Sequence, residues 1–238
     1  MTHFYDRAAA GRSLGALLAP YREREDVLVL GLPRGGVPVA AEVADTLRAP
    51  LDVMIVRKLG APGQPELALG AVASGGVIVI NENVLSSFED APAVAVAALI
   101  ARERSELKRR EALYRNDRLP LAVRDRTIIL VDDGAATGAS MGAAVRATRK
   151  LGAKRIVAAL PVASADAVSR LRAEADEVAC ILTPDTFRSV GEWYLRFEQT
   201  SDTEVSALLA RARVREHARR TGIRDEITNR ATSAGAEP

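Results

Sequence analysis

The sequence predicts an α/β fold, a doubly wound and mostly parallel sheet of five strands. Three observations lead there. Short, predominantly apolar runs recur at 27–30, 51–56, 128–131, 155–160 and 177–182, the pattern of strands covered on both faces. Amphipathic stretches of helical period fall between several of them, so strand and helix alternate along the chain. Two of the runs, 27–30 and 128–131, lead directly into Gly-containing turns and then helices, at the carboxyl edge where open α/β sheets bind ligands.

A chain of 238 residues, 48% of them hydrophobic, can bury one sizeable core. Net charge is +2, from 33 basic and 31 acidic side chains, and only four of the basic ones are lysine. That arginine skew reads as a compositional habit and argues against a nucleic-acid partner. The single cysteine, Cys180, sits in an apolar run and reads as a small buried hydrophobe; a chain with one cysteine suits a reducing cytoplasm. No segment approaches the roughly 18 apolar residues of a membrane span, and residues 1–12 do not read as a signal peptide. The expectation is a cytoplasmic protein with no membrane partner.

In chain order, residues 6–18 form a short helix with Asp6 as N-cap, closed by Pro20. The strand at 27–30 enters the turn Gly31-Leu32-Pro33-Arg34-Gly35-Gly36, and a helix follows over 39–47. The strand at 51–56 is followed at once by Arg57 and Lys58. Residues 59–69, with Gly60, Pro62, Gly63 and Pro65, have loop chemistry. A hairpin pairs 70–73 with 77–80 around Ser74-Gly75-Gly76. Residues 92–115 form the longest helical pattern, its apolar stripe set among Arg and Glu. A further helix covers 163–173, between the last two strands. Residues 183–197 gather four of the nine aromatics, a helix with Asp202 as N-cap runs to Arg220, and the polar segment 221–238 is expected to be disordered.

The most informative stretch is Ile128-Ile129-Leu130-Val131-Asp132-Asp133-Gly134-Ala135-Ala136-Thr137-Gly138-Ala139-Ser140. A helix start offers unpaired N–H groups and partial positive charge, which suits a phosphate. Thr137 and Ser140 add hydroxyls, and Gly138 lets backbone approach a ligand closely. The two carboxylates would repel that phosphate, so they fit hydroxyl donors such as a ribose diol, or a bound Mg²⁺. A sugar 5-phosphate satisfies both halves of the pattern.

This stretch resembles the 5-phosphoribosyl-1-pyrophosphate (PRPP) motif of the type I phosphoribosyltransferases: hydrophobic strand, acidic pair, short loop, then Thr-Gly-x-Ser. The turn at 31–36 is similar to that family's pyrophosphate loop, and the Arg57-Lys58 pair to that of its adenine and orotate members. In element order the chain also resembles a less-characterised bacterial branch of the family. The resemblance implies one domain over 1–220: a Rossmann-like core at 27–182, a flexible flap at 59–69, a hood at 183–201 and a C-terminal helix at 202–220. It implies a cis bond at Pro33–Arg34, with the N–H groups of Gly35 and Gly36 forming an anion nest.

By the same resemblance the activity is transfer of a phosphoribosyl group from PRPP to a nitrogen acceptor, with release of pyrophosphate. Mg²⁺ would arrive with PRPP, held by no direct protein ligand. Asp132 and Asp133 would hold the diol beside a cationic ring, and Arg34 and Lys58 would neutralise the pyrophosphate, helped by Gly35, Gly36 and Arg57. Ala135, Ala136, Thr137, Gly138, Ala139 and Ser140 would cradle the 5-phosphate, and Phe187 and Trp193 would stack on the acceptor. A homodimer is implied, with Lys58 reaching the partner's site. Where 6-oxopurine members carry a third carboxylate, this chain has Ala136, as in adenine-type loops; Glu66 is a candidate base from the flap. A second class, a non-catalytic PRPP-binding regulator of RNA or DNA, stays open through the arginines of 211–220, although no nucleic-acid-binding module is recognisable in the sequence.

Overall fold

A computed structural model describes residues 3–61, 64–80, 93–115 and 121–233. Eight strands and six helices follow one another among them: α1 (Arg7–Leu17), β1 (Val27–Gly31), α2 (Gly36–Leu47), β2 (Leu51–Val53), β3 (Val56–Ala61), β4 (Gln64–Ala73), β5 (Val77–Ile80), α3 (Ala93–Arg115), β6 (Thr127–Val131), α4 (Ala139–Lys150), β7 (Arg155–Val162), α5 (Ala165–Glu174), β8 (Glu177–Leu182) and α6 (Asp202–Ser233). The expected five-stranded sheet is present and parallel throughout, in the order β2-β1-β6-β7-β8.

The uninterrupted apolar runs have a direct cause. Val27, Val29, Ile129, Val131 and Val157 face one core, shared with α1, α2 and the start of α6. Their neighbours Leu28, Leu30, Ile128, Leu130 and Ile156 face a second core, shared with α4 and α5. With both faces covered, neither can be polar. Each fully buried Leu or Ile contributes about 1.5–3 kcal/mol, so the central strands tolerate no alternation.

Three local expectations change in three dimensions. The apolar run at 51–56 is two strands, not one: β2 pairs with β1, then the chain leaves the sheet at Met54-Ile55. Ile55 instead exchanges hydrogen bonds with Ser74, its N–H donating to the Ser74 hydroxyl and its carbonyl accepting from the Ser74 N–H. Much of the segment expected as a loop at 59–69 is strand. β3 and β4 pair antiparallel, and β5 completes a second sheet in the order β3-β4-β5, with register shifts around Gly60 that accommodate its irregular sequence. Residues 62–63 of that flap lie outside the described residues, as does the side chain of Glu66.

Helix ends differ as well. α2 begins at Gly36, with Pro38 in its first turn, where a missing N–H costs nothing. The hydroxyl of Ser201, not the Asp202 carboxylate, accepts from the Glu204 N–H at the start of α6. The α6 backbone continues past Arg220 to Ser233, so 221–233 is helix rather than the disordered tail expected; residues 234–238 lie outside the described ones.

α3 is anchored through charge. Its last residue, Arg115, forms a buried pair with Asp52 of β2 at 3.2 Å, and Glu103 in mid-helix accepts two hydrogen bonds from Arg57 of β3.

Candidate functional site

β6 ends at Val131, and Asp132 and Asp133 emerge at its carboxyl edge. Because β1 and β6 are neighbours while the chain winds outward from them in both directions, this edge is the topological switch point of the sheet. The loop after the acidic pair is stitched to the end of β7: the Ala135 N–H donates to the Val162 carbonyl, the Ser164 N–H to the Ala135 carbonyl, and the Ser164 hydroxyl to the Ala136 carbonyl at 2.7 Å. Gly138 caps α4 with φ +72°, a left-handed conformation that favours glycine. Ala136, Thr137, Ala139 and Ser140 stand exposed around it. The Thr137 hydroxyl accepts from the Ala139 N–H, whereas among the described residues those of Ser140 and Met141 have no acceptor. The result is an open, positively polarised helix start.

The turn after β1 packs directly on the acidic pair. The Pro33–Arg34 bond is cis, as the resemblance implied. The anion nest is not made as expected: the Gly36 N–H is spent on the Leu32 carbonyl. The two glycines answer to space instead. A Cβ on Gly35 would lie 2.1 Å from the Asp133 Oδ2, and one on Gly36 would lie 2.6 Å from the Val131 carbonyl oxygen. Arg34 turns to Asp202 at the head of α6, Nη1 to Oδ1 at 3.9 Å, and Asp202 also accepts from the Tyr114 hydroxyl of α3. Burial, then that hydrogen bond to Asp202, pushes Tyr114 up to about 12.

A third layer comes from the N-terminal segment and the stretch between β8 and α6. The segment at 3–5 pairs with 193–196: the Phe4 N–H donates to the Trp193 carbonyl, the Leu195 N–H to the Phe4 carbonyl and the Arg196 N–H to the Tyr5 carbonyl, all at 2.9 Å. From this paired unit the Tyr194 hydroxyl donates to the Asp133 carbonyl. Arg7 follows immediately in α1. Its Nε donates to Asp133 Oδ2 at 2.8 Å and its Nη1 to the Glu198 carbonyl at 2.7 Å, while its guanidinium lies 3.8 Å from the centre of the Phe197 ring.

The electrostatics follow from this packing. Burial, and then the neighbouring Asp133 charge, push Asp132 well above the usual carboxylate range. Burial also raises Asp133, but the Arg7 hydrogen bond and charge oppose it. Burial raises the Tyr194 phenol, the Asp133 charge adding to it, so it stays a donor.

A family model of the phosphoribosyl transferase domain matches residues 4–197, from the strand-like N-terminal segment to the ring that stacks on Arg7. The chain belongs to the phosphoribosyl transferase family. A Mycobacterium tuberculosis protein provisionally named a phosphoribosyl transferase, found in strains CDC 1551 and H37Rv, is 49% identical over 214 residues. That match covers 89% of this chain and 47% of the relative, so the chain spans about half the length of the curated relatives it matches. The crystal structure of TT1426 from Thermus thermophilus is similar with 46% identity and a TM-score of 0.79, covering 87% of this chain and 98% of that one.

Within this member of the family, the structure brings Gly35, Gly36, Asp132 and Asp133 into contact, with the 135–140 loop alongside. Arg34 flanks them but faces Asp202. Arg57 is held by Glu103, and Lys58 follows it on the same strand with its side chain exposed. Trp193 is buried, packing with Ala10, Val162 and Tyr194, while Phe187 is half-buried against that cluster. The sequence reading missed Arg7 and Tyr194 as neighbours of the acidic pair. Arg7 lies 126 positions away from Asp133 and is one of 29 arginines.

Proposed function

We propose that this phosphoribosyl transferase moves the 5-phosphoribosyl group of PRPP onto a nitrogen of a base-like acceptor and releases pyrophosphate. The observation that supports it most is how the acidic pair divides its oxygens. Asp132 Oδ1 accepts from the Asp133 N–H at 2.9 Å, and Asp133 Oδ2 accepts from Arg7. These two bonds engage one oxygen of each carboxylate, and the two side chains also interact with each other. Two adjacent acceptors match the two hydroxyls of a ribose diol. A ribose seated there can extend its 5-phosphate toward the unpaired N–H groups at the start of α4.

The side chains then act by position and charge. The acidic pair stands where positive charge would develop on the ribose ring as the bond to pyrophosphate breaks. Arg34 exchanges Asp202 for the departing pyrophosphate; an exposed pair at 3.9 Å is worth at most about 1 kcal/mol, so the exchange is inexpensive. Among the described residues no three His, Cys, Asp or Glu groups converge into a metal cage. We propose that Mg²⁺ arrives with PRPP, held by phosphate oxygens and water, as magnesium commonly is. When bound, Mg²⁺ neutralises charge on the leaving pyrophosphate. Ala136 cannot transfer a proton, so the acceptor is one that does not need a base at that position. We further propose a homodimer in which Lys58 reaches the partner's site.

The regulator reading is weakened by the arginines of α6. Arg215 and Arg219 both pair with Asp45, and Arg213 donates to the Tyr114 carbonyl, so these three have partners within the fold. No helix of the described residues is long and apolar enough to cross a membrane.

Titration calorimetry with PRPP and Mg²⁺ tests the assignment. The double substitution Asp132→Asn with Asp133→Asn should abolish binding while thermal unfolding stays cooperative. Unchanged affinity would refute it.

A further inference from the structure

The acidic pair is not held in place by its own loop alone. We infer that Arg7 is the positioning residue of this site: it fixes Asp133 in the one orientation that presents Oδ1 to the ribose diol. The inference rests on the phosphoribosyl reading above.

Five observations support it. The Arg7–Asp133 pair is mostly shielded, with 12% and 15% of the two side chains exposed, and its 2.8 Å distance is that of a charge-assisted hydrogen bond. Arg7 is itself immobilised, by the Glu198 carbonyl on one side and the Phe197 ring on the other. Gly35 closes the opposite side: a Cβ there would fall 2.1 Å from Asp133 Oδ2, so that oxygen sits between Arg7 and the turn after β1. The Tyr194 hydroxyl fixes the Asp133 backbone from the same paired unit. With Oδ2 so confined, rotation of the carboxylate is opposed and Oδ1 is the oxygen left to the diol.

Without Arg7, the carboxylate would turn freely and sit as an unpaired buried charge beside Asp132. Such a charge favours its neutral form, which loses one acceptor for the diol. Lysine could restore the charge but not the planar stacking on Phe197 together with two directed donors. The charged and titratable groups facing Asp133 are Arg7 on α1, Asp132 beside it and the neutral Tyr194 phenol from the paired unit.

A diol-specific readout separates this role from general stabilisation. Ribose 5-phosphate, 2-deoxyribose 5-phosphate and inorganic pyrophosphate are titrated into wild type, Arg7→Met and Arg7→Lys, each with a melting curve. Wild type should prefer the ribose compound. Arg7→Met should weaken ribose 5-phosphate by roughly 10- to 100-fold, the effect of losing a buried charge-assisted hydrogen bond. It should also erase the preference over the deoxy compound and leave pyrophosphate affinity within about 2-fold, an experimental tolerance near 0.4 kcal/mol. Arg7→Lys should recover part of the preference. A preference retained in Arg7→Met, or an equal loss of all three ligands, would overturn the inference. If Arg7→Met does not fold, Phe197→Leu, which removes the stacking surface under Arg7, should blunt the preference, and a full preference there would overturn it as well. Failure of wild type to bind any of the three would instead sink the phosphoribosyl reading itself.

Discussion

Glycine-to-alanine changes inside two helices of this protein should have opposite signs. Gly36 opens α2 and Gly142 lies within α4. Helix propensity alone favours alanine over glycine in a helix interior by about 0.8–1.0 kcal/mol. At Gly36 the new Cβ would meet the Val131 carbonyl oxygen at 2.6 Å and the Asp132 Cα at 2.8 Å. Both are backbone atoms of the central strand edge and cannot rotate aside. Overpacking of this kind costs about 1–3 kcal/mol, and with no flexible neighbour the upper part of that range applies. The net is a loss of about 1–2 kcal/mol, or roughly 2–8 °C in Tm for a chain of this size. At Gly142 the nearest atoms are the Glu174 Oε2 at 3.2 Å and the Arg146 Nη1 at 3.4 Å, ends of two exposed side chains that pair with each other. They can move at small cost, since such surface pairs contribute about 0–1 kcal/mol, so Gly142→Ala should raise Tm by up to about 4 °C. Scanning calorimetry of both variants decides the matter. A Tm for Gly36→Ala at or above wild type would refute the claim that this turn is pressed against the acidic pair. The same displacement should weaken PRPP at least about 10-fold, because Asp132 is the residue pushed.

Asp132→Asn should stabilise the ligand-free protein near neutral pH. The carboxylate has a raised pKa in the fold, so its contribution is full below the ordinary carboxylate range and is lost as pH rises through the raised value. The Tm gap between variant and wild type should therefore widen from acidic to neutral pH; a constant gap would show that Asp132 is not strained by its charge. In a pyrophosphate-release screen with PRPP and Mg²⁺, hypoxanthine and guanine should give no appreciable turnover, and robust turnover of hypoxanthine would defeat the argument from Ala136. Phe187→Ala should raise the acceptor's KM and leave PRPP affinity intact, whereas equal loss of both would assign Phe187 to the satellite core around Trp193. Light scattering at micromolar concentration should give the mass of a dimer, and a mass of one chain would count against the proposed role of Lys58.

Much of this protein is determined by interactions between near neighbours along the chain. A strand covered on both faces must be apolar at every position, and 27–30 and 128–131 are. A carboxylate pair at a strand end, then a left-handed glycine and a helix start, form one short continuous segment, so this part of the candidate site was legible as a pattern. The run at 51–56 shows the limit: its apolarity marks burial, but whether it is one strand or two depends on β1 and Ser74, neither of which it contains. The reason for Gly35 and Gly36 was equally invisible, because their constraint is Asp132 and Asp133, nearly a hundred positions on. Arg7 and Tyr194 meet Asp133, and Phe197 meets Arg7, only because β1 and β6 lie side by side and the segment at 3–5 pairs with 193–196 across their edge. That arrangement is set by burial summed over two sheet faces and many helices. A single arginine near the N-terminus carries no local trace of it, and only the folded chain shows which charge it holds.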